Sequence, residues 1–523
     1  MAASSEPIEE NSHPSSLLAY NALPGHQDFD STISDEKPTA VTGTGFYDRN
    51  LTSRRYALIG IACSGIFSCL CIITGIVTVA NHGIVGVTPL GLSIVNLNYP
   101  LQLSLQLEIS TLMLVSIVTL CAESIGFVHG ISLRSALASE SRLHFNTNLR
   151  LLTAARGWRN LMAPCLTRVL HSVDGSIIQE SGSVAIAGLP LLILGVVLLL
   201  QVMIALSAMR AVKILTWSSS PFDLAAALVH HTQLTPATFR CMRRVSDLDT
   251  YGGPAKPPET QPSAWHAHPS IQKVIIFLWA IVTACIVWAA IVMYISDRFF
   301  SNGNALTLQT WSFFRNSEGN DIMYDLLKGS PEGWILLFVN IAVVQGLLTL
   351  GLHCSELIVN VIRDERQWRW ATRRQGLRMA TNPLVSILNQ PNCLILFIAK
   401  PVLHWMFGLS FDIGKYAINN TLSGFLIFMY TAQIWNLCIA LFIVACVFTF
   451  VALRRPSGPQ PAAYGHLQTL ADLVDEWSPV MWWGHKADGI PYCHAGTSDH
   501  PLPDVKMFCV YAGSGVGSLV PLS

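Results

Sequence analysis

Seven apolar stretches of membrane-crossing length constrain this chain more than any other feature. They cover residues 56–80, 109–131, 184–209, 275–295, 334–361, 393–411 and 422–453. About 20 consecutive apolar residues are needed to cross a bilayer as a helix. Inside hydrocarbon, every backbone N–H and C=O must find a partner within the segment or in a closed barrel. Composition agrees: 51% of the residues are hydrophobic and 12% charged, against roughly 25% charged in soluble domains. The expected fold is all-α, a polytopic transmembrane helical bundle with seven visible spans, or eight if one is hidden. Its first partner is then the lipid bilayer. Net charge is zero at pH 7, so nothing points to nucleic acid.

Arginine and lysine orient the spans, because they concentrate on the cytosolic side. Arg49, Arg54 and Arg55 precede the first span, while 81–106 carries no Lys or Arg. The block Arg363, Arg366, Arg369, Arg373, Arg374 and Arg378 closes the fifth stretch, and Arg454-Arg455 the last. This places both termini in the cytosol, with a tail at 1–55, a transmembrane domain at 56–455, cytosolic loops at 134–183, 210–273 and 362–392, and a second tail at 456–523. Of the 32 Lys and Arg, only Arg298, Arg315, Lys328 and Lys415 then lie outside and Lys400 within a span. Whether the membrane is the plasma membrane or an internal one stays open.

One stretch resists this scheme. The loops 134–183 and 210–273 are both basic, yet a single apolar stretch separates them. Either 184–209 is a re-entrant hairpin bent at Gly188-Leu189-Pro190, or a weak crossing hides in 163–182, or one loop breaks the charge rule. Cytosolic termini require an even number of crossings, hence six with a hairpin or eight with a hidden span.

The tails and loops carry weaker signals. Residues 1–55 hold too little apolar surface to fold alone. No basic start with a short apolar core precedes the first span, which is read as the signal anchor. The run Ser218-Ser219-Ser220-Pro221-Phe222-Asp223 reads as a capped helix start. In the second tail, Leu467, Leu470, Leu473, Val474 and Trp477 fall at helical spacing, an amphipathic helix for the membrane surface or for the other loops. Most of the 13 cysteines sit inside apolar runs, as small hydrophobes rather than a disulfide framework. His485, Cys493, His494, His500 and Cys509 crowd the tail, but their spacing matches no standard zinc pattern and no metal ligand is assigned. Gly513-Ser514-Gly515-Val516-Gly517 lies too near the end for a phosphate-binding helix to follow. No Walker, kinase or Gly-x-Ser-x-Gly motif occurs, and no catalytic residue or cofactor is assigned. Two glycosylation sequons begin at Asn419, on an outer turn, and at Asn50, which the charge rule puts in the cytosol.

Ionisable residues inside the spans carry the sharpest chemistry. Each costs roughly 2.5–3.5 kcal/mol at mid-membrane on insertion scales and needs a partner. The candidates are Glu123, His129, His353, Glu356, Lys400 and His404. His353 and Glu356 are three apart, and Lys400 and His404 four apart, so each pair shares a helix face. The expected cluster is a Glu356–Lys400 ion pair flanked by His353 and His404, with Glu123 as a second acid. It serves as polar glue between helices, as a proton relay or substrate site, or as part of a metal site.

Several motifs occur in order: Glu123-Ser124-Ile125-Gly126-Phe127-Val128-His129, then Ala155-Arg156-Gly157-Trp158-Arg159-Asn160, Leu215-Thr216-Trp217-Ser218-Ser219, and His353-Cys354-Ser355-Glu356 with Arg363-Asp364-Glu365. Lys400-Pro401-Val402-Leu403-His404-Trp405 and Trp482-Trp483-Gly484-His485-Lys486 follow. Together they resemble a family of uncharacterised fungal multi-pass membrane proteins, over roughly residues 56–510. The resemblance implies no activity. It implies a further hydrophobic crossing just after Arg156–Asn160, where this chain has the polar stretch 161–182, so that a span is lost or the gene model departs there.

Three function classes remain. A non-catalytic scaffold or accessory protein, meeting membrane or cytosolic partners through its loops and tail, fits the absent catalytic motifs. A transporter of protons or a small polar molecule needs a wet route past Glu123, Glu356 and Lys400. A membrane-embedded enzyme needs those groups in one cavity.

Overall fold

The computed structural model describes residues 52–83, 87–89, 99–147, 177–180, 183–237, 240–247, 253–299, 306–307, 311–314, 321–326, 331–378, 390–418, 421–512 and 520–521. The tail 1–51, residues 148–176, and both sequon asparagines, Asn50 and Asn419, lie outside them. Among the described residues, seven helices are long and apolar enough to cross a membrane. They are α1 (Thr52–His82), α2 (Tyr99–Ser139), α3 (Gly188–Ala211), α5 (Pro269–Phe299), α6 (Pro331–Trp368), α7 (Pro391–Ser410) and α8 (Thr431–Leu453), with the short α4 (Pro221–His230) between α3 and α5. The chain is an all-α polytopic bundle. Ile59, Ile66, Leu70, Ile73 and Val77 stand exposed along α1 while Ala57, Ile61 and Cys71 are buried. Helices apolar on both faces are what a bilayer solvent demands.

The helices form two groups. In the first, α1 packs antiparallel to α2, with Gly60 against Ser124 and Ser64 Oγ near the Cys121 carbonyl. It also packs antiparallel to α3, where Ser68 Oγ donates to the Gly195 carbonyl at 2.7 Å and Gly188 abuts Thr78. In the second group, α5 and α8 are antiparallel, with Trp279 Nε1 donating to Thr449 Oγ1 at 3.1 Å and the Cys285 and Cys438 sulfurs 3.0 Å apart. There α6 and α7 share the core of Leu352, Leu357, Ile358, Leu403 and Phe407.

Both α2 and α3 oppose α1, so they run in the same direction. Thr147 follows α2 at one end of the bundle. Strand β2 (Ile177–Glu180) lies at the other, paired with β3 (Ser183–Ala187), which in turn pairs with β1 (Val87–Pro89) just after α1. The hairpin reading of 184–209 is corrected: Gly188–Ala211 is one continuous helix, and Pro190 sits in its first turn, where a missing N–H costs nothing. The alternative of a crossing hidden in 163–182 lies mostly outside the described residues.

A second correction concerns the last apolar stretch, 422–453. The helix begins at Thr431, and residues 421–430 form strand β7 (Thr421–Tyr430) between β6 (Phe411–Ile418) and β4 (Asp321–Leu326). A continuous apolar run does not by itself distinguish a buried strand from a helix.

At the end where α2, α3, α6 and α8 finish, loops and C-terminal segment fold into one layer, termed the base here. Its core joins Leu133, Leu137, Phe222, Leu228, Trp368, Leu470, Trp483 and Tyr511. The cap of α4 is as the sequence indicates, with Pro221 in the first turn and Ser220 Oγ accepting the Phe222 N–H at 3.3 Å. Helix α9 (Leu467–Leu473) is shorter than the 467–477 periodicity suggests, though Val474 and Trp477 are buried too. It packs on α4 rather than on a membrane surface. Beyond it, β8 (Val480–Ala487) pairs with β10 (His494–Ser498) and with the two-residue β5 (Leu377–Arg378), while β9 (Gly489–Ile490) pairs with β11 (Val520–Pro521). Periodicity alone gave no sign of this sheet.

Candidate functional site

Three helices bring charge into the seam between the two helix groups: α2 from the first, α6 and α7 from the second. On α7 the buried positions Cys393, Leu396, Lys400, Leu403, His404 and Phe407 repeat at helical spacing, so Lys400 points inward along a face that is apolar but for it and His404. Pro401, one residue on, lacks an N–H and leaves the Phe397 carbonyl without its helical partner. Lys400 Nζ donates to Glu123 Oε1 of α2 and to Glu356 Oε1 of α6. His353, one turn before Glu356, places Nδ1 2.8 Å from the same Glu356 oxygen. An ionised carboxylate only accepts, so His353 Nδ1 carries the hydrogen.

The cluster is closed in charge. Two carboxylates face one ammonium and one imidazole, giving −1 with neutral His353 and zero with His353 protonated. Lys400 is the most enclosed member, its side chain 8% exposed, whereas Glu123 keeps 33% and His353 31%. Buried ion pairs gain little net stability over apolar packing, but removing one partner costs several kcal/mol because the other charge is left uncompensated.

Of the residues singled out in the sequence, Glu123, His353, Glu356 and Lys400 lie together. His404 is buried one turn beyond Lys400 on the same face of α7. His129 lies further along α2, with its Nδ1 buried and without a hydrogen-bond partner. The ligand-type atoms of Glu123, His353 and Glu356 are within 4.8 Å of one another, close enough for a metal. The Lys400 ammonium already stands between both carboxylates and supplies the positive charge a cation would bring.

The seam holds a second contact that the sequence reading missed. Trp405 Nε1 donates to Glu108 Oε2 at 3.0 Å, and both residues are buried. Glu108 stands immediately before the apolar run of α2, where a charge reads as an ordinary span border. Its signal was Trp405 in the Lys400–Trp405 motif, since a buried indole N–H requires an acceptor.

The arginine block has a structural role. Asp364 Oδ2 accepts from Asn146 Nδ2 at 2.9 Å, Asp364 Oδ1 from Arg363 at 3.1 Å, and Asn146 Oδ1 from Arg134 at 2.9 Å. Glu365 Oε1 accepts from Arg369 Nε at 2.8 Å. Trp368, fully buried, donates Nε1 to the Pro461 carbonyl at 2.7 Å. The end of α6 thus latches the C-terminal segment onto the bundle.

Comparison with protein-family models, with curated proteins and with solved structures returned no match.

Proposed function

We propose that this protein is a non-catalytic membrane scaffold that presents the base to cytosolic partners. The observation that carries this reading is the commitment of Lys400 to one carboxylate on each side of the seam. The enclosed ammonium is neutralised by the two carboxylates, and its contact with Glu123 ties the second helix group to the first. The base supplies the other half of the argument: a packed layer built from separate loops and the C-terminal segment, on the side to which the arginine pattern assigns the cytosol.

A second reading has an observation of its own. Glu123 and His353 keep about a third of their surface, on the seam where a transport route would run. Reconstitution into sealed liposomes containing a pH-sensitive dye separates the two. The scaffold reading expects proton flux under an imposed gradient no faster than in protein-free vesicles, and unchanged by Glu356→Gln. Flux that requires the protein and disappears with Glu356→Gln would replace it with the transporter.

A further inference from the structure

We infer that the C-terminal part of the base is a structural zinc site formed by His485, Asp488, Cys493 and Cys509. Spacing did not reveal it, because the set includes an aspartate and the fourth ligand comes from a separate turn. The fold assembles it in two steps. First, β8 and β10 form a hairpin that carries His485 near the end of one strand, Asp488 in the connection and Cys493 just before the other. Second, the chain returns alongside: the Cys493 N–H donates to the Val510 carbonyl at 2.9 Å, and the Ala512 N–H to the Cys493 carbonyl at 3.0 Å. This registers the 506–512 segment against Cys493, so that Cys509, the residue before Val510, stands beside Cys493 as the candidate fourth ligand.

The separations suit a tetrahedral ion. Bonds of about 2.0 Å to N and O and about 2.3 Å to S imply an N···O edge of about 3.3 Å and an S···O edge of about 3.5 Å. His485 Nε2 lies 3.2 Å from Asp488 Oδ1, and Cys493 Sγ lies 3.6 Å from the same oxygen. The ligand atoms of His485, Asp488 and Cys493 all fall within 4.8 Å of one another.

The surroundings supply what zinc ligands need. With Nε2 on the ion, His485 Nδ1 keeps its hydrogen and donates it to Tyr511 Oη, 2.9 Å away, which fixes the ring. Lys506 Nζ lies 2.6 Å from each Asp488 oxygen, so it can hold Oδ2 while Oδ1 turns to the metal. Two thiolates, one carboxylate, a divalent ion and the Lys506 ammonium sum to zero charge. His485 and Cys493 are buried while the Asp488 side chain is 43% exposed, which gives the ion a way in. Two sulfurs with one imidazole favour zinc over the hard cations magnesium and calcium. His494 and His500, the other tail histidines, are engaged elsewhere, with Asp475 at 2.8 Å and with Asp499 at 2.8 Å.

The test uses the full chain, extracted in detergent and purified through a tag without histidines. Elemental analysis is expected to find one zinc per chain, lost in the double variant Cys493→Ser/Cys509→Ser. Since that variant could misfold, the wild-type protein is also exchanged with cobalt. Visible d–d bands of a tetrahedral site with thiolate-to-cobalt charge transfer are expected, and Asp488→His, which replaces one ligand by another, should keep the metal but shift the bands. Absence of zinc together with absence of the cobalt spectrum overturns the assignment. So does a Cys493–Cys509 disulfide in protein taken from its native membrane, detected by the mass added on alkylation with and without reduction.

Discussion

Glu365 Oε2, at the end of a membrane-spanning helix, accepts the backbone N–H of Tyr464 at 2.9 Å, and that of Ala463 at the same distance. The chain bends there through two successive left-handed residues, Tyr464 at φ 45° and Gly465 at φ 71°. Adjacent N–H groups in such a turn converge on one anion. A side chain at Gly465 would lie 2.6 Å from Asp364 Oδ2, so glycine is required there by space as well as by φ. Glu365→Ala leaves two buried donors unsatisfied and removes an ion pair, which should cost about 3 kcal/mol. The expected readout is faster tryptic cleavage at Lys486 and Lys506, with the bundle itself still folded.

The same latch should loosen in acid. Phe145 lies between two buried imidazoles, His268 with its ring centre 4.2 Å away and His466 at 4.8 Å. Burial, reinforced at His466 by His144 and His268, lowers both from 6.5 to about 4. A group depressed in the folded state contributes full stability above its unfolded value and loses it as pH falls. The window therefore runs from about 6.5 down to about 4, with a loss of about 2 kcal/mol per imidazole near pH 5. Hydrogen exchange over residues 460–473, corrected for intrinsic rate, should accelerate across that window. His466→Asn should remove part of the effect. His466 Nδ1 accepts the Thr469 N–H at 3.1 Å as a helix cap, and asparagine can cap without titrating in this range.

How much of this could be read from the sequence differed by feature. Glu123, His353, Glu356 and Lys400 stood out because an ionisable side chain is rare in a span and must have a partner. Helical spacing gave the faces, but which helices adjoin is a matter of packing. Lys400 could thus be matched to Glu356, with Glu123 as a second acid, while the direct contact of Lys400 with Glu123 across the seam is set by packing. Residues 421–430 misled because an apolar run fits either element. The base was legible only in part: the helical spacing around Leu470 allowed packing on the other loops, but Phe222, Trp368 and Trp483 are far apart in sequence, and no spacing shows that they share one core.

Close packing of α1 on α3 yields a prediction with an internal control. A methyl group at Gly195 would lie 2.9 Å from the Ile72 nitrogen and 2.9 Å from the Ser68 carbonyl oxygen, whereas one at Gly65 meets nothing within 4 Å. Gly195→Ala should force the helices apart at a cost of about 1–3 kcal/mol. Gly65→Ala should leave thermal stability in detergent unchanged or slightly raised. Equal effects at the two positions would contradict the observed α1–α3 contact.

Loss of the Trp405–Glu108 contact should be felt less than loss of the Lys400 contacts with Glu123 and Glu356. Trp405→Phe keeps a six-membered ring but removes the fused ring that carries the N–H, so the buried Glu108 carboxylate loses one donor and a small void is left. A destabilisation of about 1–3 kcal/mol is expected, measured as a lower midpoint in thermal unfolding. Glu108→Gln, which can still accept from the indole, should recover part of the wild-type midpoint.

The central claim is that Lys400 and Glu123 clasp the two helix groups together, and a double-mutant cycle in detergent addresses it directly. Glu123→Gln, Lys400→Met and the double variant are compared by thermal unfolding. Direct pairing predicts a coupling energy of about 0.5–3 kcal/mol, with the double variant less destabilised than the sum of the singles. Additive effects, or a Lys400→Met protein as stable as wild type, would contradict the clasp.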